Sequence, residues 1–132
     1  MKVVPLHPDR FDLNGRWRVI HRVERSALSR YVGLEIEFDV VLTQEGDRVT
    51  GEGEKFIVGW ELVGQREASR LKLDGRADGE GVRLSILEMP PSDPEREIVG
   101  EIDWKVVTND MLSGTFWVTA AKSAGTSRAL RR

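Results

Sequence analysis

The sequence predicts an all-β protein, an eight-stranded antiparallel up-and-down meander closed into a barrel. Three observations lead there. Val32, Leu34, Ile36, Phe38, Val40 and Leu42 are apolar at strict two-residue spacing, with Gly33, Glu35, Glu37, Asp39 and Val41 between them, which is the period of a strand with one buried face. Turn-forming clusters such as Gln44-Glu45-Gly46-Asp47 and Asp78-Gly79 recur at the joints between such stretches, and no stretch carries a helical period. A meander leaves two open edges, and pairing its last strand with its first removes both.

Residues 1–12 read as an extended lead-in, because Pro5 and Pro8 block a helix. The first strand follows Asn14-Gly15 and puts Trp17, Val19, His21 and Val23 on one face, with Arg16, Arg18, Ile20 and Arg22 on the other. Ser26 to Tyr31 connects it to the second strand as a lid or a short helical turn. The outer face of the second strand is acidic (Glu35, Glu37, Asp39) where that of the first is basic. Antiparallel pairing then forms cross-strand charge pairs worth about 0.2 to 1 kcal/mol each, more useful for register than for stability.

A two-residue loop at Glu45-Gly46 sets Leu42 opposite Val49 and Val40 opposite Gly51. Beyond Gly53 the alternation blurs, and Phe56 to Gly64 reads as either a bulged strand or a flap. Asp78-Gly79, taken as a type I′ turn, pairs Gly75 with Val82, Leu73 with Leu84 and Leu71 with Ile86. Met89-Pro90-Pro91-Ser92-Asp93-Pro94 ends the fifth strand, since prolines cannot continue a ladder. The sixth strand carries Ile98, Gly100, Ile102, Trp104 and Val106 inward. A three-residue loop, Thr108-Asn109-Asp110, pairs Val106 with Leu112 and leads to Leu112, Gly114, Phe116 and Val118 on the inner face of the seventh. A last turn near Ser123-Ala124-Gly125 opens the eighth, with Ser127, Ala129 and Arg131 on one face and Arg128 and Leu130 on the other.

Composition bounds the function. With 132 residues, 39% of them hydrophobic, the chain suits one domain spanning 1–132 that buries a core without metal or disulfide help. Twenty basic against 22 acidic residues give a charge of -2, so no overall field draws it to nucleic acid or to an anionic membrane. The basic tail of Arg128, Arg131 and Arg132 has no aromatic platform for stacking bases. There is no cysteine, no apolar run of a signal peptide and no span of a bilayer, which together point to the cytoplasm.

Leu13-Asn14-Gly15-Arg16-Trp17 resembles the Gly-x-Trp signature that opens the first strand of lipocalins and related calycin barrels. Arg131, or alternatively Arg128, sits where that family keeps a basic residue on the last strand. The resemblance implies a guanidinium stacked on the Trp17 indole at the closed end, a cation–π contact of about 0.5 to 2 kcal/mol that joins first strand to last. It also implies an interior ligand cavity. The chain is shorter than a typical lipocalin and lacks its C-terminal helix and disulfides, so it is more similar to small bacterial lipocalin-like barrels, whose ligands do not transfer. Avidin-like barrels share the architecture, but their pattern of binding residues is not legible here.

His21 is the sole histidine inside a strand, and parity turns it inward. It reads as a ligand donor or a general base, against a hydrogen-bonded histidine near a barrel mouth. With His7 as the only other histidine, no metal site is expected. No cofactor is expected either, since Gly51-Glu52-Gly53 and Gly79-Glu80-Gly81 match no phosphate loop. Glu35, Glu37 and Asp39 face away from the apolar row and read as a salt-bridged outer face rather than catalytic carboxylates. Gly51, Gly53, Gly75, Gly100 and Gly114 recur on inner faces, either to let a small barrel turn its corners or to leave room for a ligand.

The reading is a binding module: Trp17, Phe38, Gly51, Trp104 and Phe116 line a pocket for a small apolar or amphipathic molecule, with His21 and Trp60 supplying polar contacts at the mouth. One alternative is a barrel enzyme, an isomerase or lyase using His21 as base and an interior arginine as electrostatic partner. Another is an interaction protein. Val99 and Trp117, with Val107 further along, fall on an outer face and suggest a homodimer contact, or a surface covered by Val3 to Leu6.

Overall fold

The computed structural model describes residues 11–58, 69–79, 81–89 and 97–132, with residues 56–58 as backbone only. Eight strands, β1 (Gly15–Arg25), β2 (Glu35–Glu45), β3 (Arg48–Val58), β4 (Ser69–Asp78), β5 (Gly81–Met89), β6 (Ile98–Thr108), β7 (Met111–Val118) and β8 (Ser123–Arg131), form a closed antiparallel barrel in sequence order. The β8–β1 seam, running from Trp17 opposite Arg131 to Val23 opposite Gly125, removes both edges of the meander. The connection from β1 to β2 contains one 3-10 turn, Ser29–Tyr31, which decides between the two forms expected for it. Phe56 to Val58 belong to β3, whereas Gly59 to Gly64 lie outside the described residues.

Two hairpins differ from expectation in the same way. Glu45 pairs with Arg48 and Asp78 with Gly81, so Leu42 faces Gly51, Val40 faces Gly53, Gly75 faces Leu84, Leu73 faces Ile86 and Leu71 faces Glu88. Each register is displaced by two residues. In both turns glycine occupies the first of the two loop positions, Gly46 at φ +63° and Gly79 at φ +59°, rather than the second position of an Asp-Gly type I′ turn. A two-residue displacement leaves every side chain on its expected face but changes its neighbours. It sets Lys55 opposite Phe38 and Glu88 opposite Leu71.

Val106 faces Leu112 as expected, with an irregularity before Thr108 meets Met111. The last turn comes earlier than expected. Ser123 to Gly125 already belong to β8, and the reversal is made by Thr119 to Lys122, where Ala121 (φ 51°) and Lys122 (φ 47°) take left-handed conformations. No glycine marks that turn, so composition alone placed it too late.

Alternation decides the layers. Trp17, Val19 and Val23 of β1, Phe38, Val40 and Leu42 of β2, Leu71 and Leu73 of β4, Val82, Leu84 and Ile86 of β5, Ile102 and Trp104 of β6, Leu112 and Phe116 of β7 and Ala129 of β8 are all buried. The outer face carries charge. Arg18 lies opposite Asp39 and binds it through Nε at 2.6 Å, and its other branch reaches Glu37 at 3.2 Å. These bonds hold the Arg18 guanidinium above its ordinary pKa. At Gly75 and Gly114 an added Cβ would run into the carbonyl groups of Arg83 and Asp103 on the neighbouring strands. Those glycines let the backbones of adjacent strands approach at the corners of a small barrel.

Candidate functional site

The two ends of the barrel are built differently. At the end where β1 begins, Trp17 and Trp104 are completely enclosed, and each indole N–H has a partner: Trp17 Nε1 donates to Leu13 O at 2.8 Å, and Trp104 Nε1 to Ser127 Oγ at 2.7 Å. Arg131 closes this end. Its guanidinium lies 4.3 Å from the centre of the Trp17 ring and donates to the carbonyls of Asp12 (2.7 Å), Asn14 (3.1 Å) and Asn109 (2.9 Å). It also pairs with the Asp110 carboxylate at 3.2 Å. One side chain thereby ties the approach to β1, the end of β8 and the β6–β7 turn together.

The other half of the interior is polar in its centre. His21 lies on the inner face of β1, its ring stacked on Phe116 at 4.0 Å with 12° between planes and set edge-on to Phe38 at 4.6 Å. The imidazole is buried, yet its Nε2 has no hydrogen-bond partner among the described residues. Burial first, and the charge of Lys55 second, push its pKa well below the usual histidine value of 6.5, so it is neutral at physiological pH.

Lys55 and Glu88 face inward beside it. Strand parity puts Lys55 in the row Val49, Gly51, Gly53, and Glu88 in the row Val82, Leu84, Ile86. Lys55 Nζ reaches across β4 to Glu88, at 2.9 Å from Oε1 and 3.1 Å from Oε2. Only 7% of the Glu88 side chain and 17% of Lys55 is exposed, so this is an ion pair within the barrel and not a surface bridge. The interior arginine expected beside His21 does not occur among the described residues. The cation there is Lys55, and Arg131 caps the opposite end.

The residues expected to line one pocket therefore divide. His21, Phe38 and Phe116 stand together. Trp17 and Trp104 belong to the packed end. An added Cβ on Gly51 would sit 2.7 Å from Leu42 Cδ2, so the space above that glycine holds Leu42. Trp60 lies outside the described residues. Lys55 and Glu88 were missed although their parity was readable: a charged residue at an inward position of an otherwise apolar row is the signal.

No family model matches the chain, and no curated protein does. Solved structures similar to it include redesigned β-barrels. One, b11L5F_LGL, superposes with a TM-score of 0.67 at 11% identity over 91% of each chain. Another, mFAP1 bound to DFHBI, gives 0.65 at 10% identity over 91% of this chain and 94% of its own. A third, mFAP0 bound to DFHBI, gives 0.60 at 14% identity over 90% and 98%. The likeness is one of fold.

On the outside, Val99 and Trp117 are 43% and 47% exposed. The Trp117 indole donates to Glu101 Oε2 at 3.2 Å and walls a shallow groove of about 560 Å³ shared with Arg25, Arg83 and Asp103. The surroundings of this tryptophan are charged.

Proposed function

We propose that this barrel binds a small amphipathic molecule in the half of its interior that holds His21, Phe38, Phe116, Lys55 and Glu88. The observation that carries the reading is the buried His21 Nε2, which has no partner among the described residues. An unpaired buried polar atom costs about 1 to 3 kcal/mol, and in a barrel whose opposite end leaves both indoles satisfied, that cost marks a place where a partner arrives from outside. The stacked and edge-on phenylalanines supply apolar walls, and the ion pair supplies polar contacts. Two of the similar barrels are bound to DFHBI, which supports an architecture able to hold a small molecule. The Trp17–Arg131 clasp supports the lipocalin-like reading of the chain.

Native mass spectrometry of protein purified without denaturation is expected to show a low-mass adduct that is lost on unfolding. A bare chain from several expression hosts, together with no response to titration with apolar fluorescent probes, would sink the reading.

A further inference from the structure

Resting on that reading, we infer that the site selects molecules that are uncharged, with an apolar body and one hydrogen-bonding group aimed at His21 Nε2, and that it rejects ions of either sign. The inference comes from a charge count of the inner face. Among the described residues the ionisable groups on the inner face of this half are His21 and Glu88, both buried, and the partly buried Lys55. Lys55 and Glu88 neutralise each other through two bonds from Nζ to the carboxylate oxygens. His21, pressed between Phe116 and Phe38 and beside the Lys55 cation, carries no charge. Among the described residues, the inner face of this half is therefore polar but electrically balanced.

An incoming carboxylate or ammonium would have to leave water with no unpaired counter-charge to meet it among the described residues of this inner face. It would also compete with a partner already in place for Lys55 or Glu88. A hydroxyl or carbonyl group meets neither obstacle. It satisfies Nε2, which a neutral imidazole presents as donor or acceptor according to tautomer, while its flat carbon frame lies against the two phenylalanines. The orphan nitrogen and the compensated ion pair are independent features, and each points to the same class: a phenol, enol or ketone of an apolar ring system.

The test uses four probes of one size: naphthalene, naphthol, naphthoate and naphthylmethylammonium, titrated at neutral pH by fluorescence or calorimetry. Naphthol is expected to bind about tenfold more tightly than naphthalene, the worth of one hydrogen bond to a buried group, and naphthoate and the ammonium to bind more weakly than naphthol by at least about tenfold. His21→Phe should erase the advantage of naphthol over naphthalene, and His21→Gln, which restores a donor and an acceptor, should recover part of it. Glu88→Gln should move naphthoate to the top of the order, because the bound carboxylate then supplies the missing partner of Lys55.

Equal binding of all four, or a preference of the native protein for naphthoate or the ammonium, overturns this inference and leaves the binding reading standing. Failure of all four to bind overturns both. The ranking in the native protein decides the matter even where a variant does not fold.

Discussion

The two halves of the barrel are made from the same eight strands by the same alternation, yet they spend their buried polar groups differently. In the Trp17 half, both indoles are enclosed with their N–H groups satisfied, and Arg131 fills its donors with three carbonyls and a carboxylate. In the His21 half, one imidazole nitrogen stands unpaired among the described residues and an ion pair occupies ground that carbon could fill. Stability alone accounts for the first half. The second retains features that cost stability, and such departures from a consistent core concentrate where a protein works.

The contrast can be broken most forcefully at Trp104. Trp104→Ala removes a completely enclosed side chain and leaves the buried Ser127 hydroxyl without its donor, so urea denaturation should show a loss of about 3 to 5 kcal/mol. A loss no larger than that of a surface substitution would contradict the picture of a packed end. Next comes the ion pair. Glu88→Gln strands the Lys55 cation and should cost about 3 kcal/mol, the low part of the range for a buried pair because Lys55 keeps some exposure. The double replacement Lys55→Met with Glu88→Leu should be neutral or stabilising by about 1 kcal/mol. Equal losses in the single and double variants would mean that the pair contributes to stability beyond charge compensation.

The smallest effect is one of pH. His21 has a folded-state pKa lowered from 6.5 by burial and by Lys55, so below that value the unfolded chain binds a proton that the folded chain does not. Its contribution is complete above about pH 6.5 and is lost as pH falls, at a slope approaching about 1.4 kcal/mol per pH unit. His21→Phe should remove that slope from the difference between the two stability curves. Parallel curves from pH 7 to pH 5 would show that the imidazole is not held neutral.

Much of the fold was readable because the strand period is two, and a displacement by two residues leaves faces unchanged. Leu42, Val49, Leu71, Leu84 and Ile86 were expected inside and lie inside, although the β2–β3 and β4–β5 ladders are displaced. What that displacement hid was neighbourhood. Which loop position a glycine takes depends on a backbone angle that the dipeptides Glu-Gly and Asp-Gly do not specify, and with it went the pairing of Lys55 with Phe38. The site was half legible. His21, Phe38 and Phe116 follow from parity alone. The meeting of Lys55 with Glu88 depends on curvature that brings two non-adjacent strands within reach across a third, and no local pattern encodes it.

Seven of the eight ladders join strands adjacent in sequence, whereas the bonds of Arg131 to Asn14 and Asp12 close loops of 117 and 119 residues. The entropy of closing a ring grows only with the logarithm of its length, about 0.6 kcal/mol per doubling. A few residues inserted into the connections at the His21 end would therefore lengthen the ring at almost no cost to its closure. The clasp at one end leaves the connections at the other able to change in length without touching the seam that keeps the barrel shut.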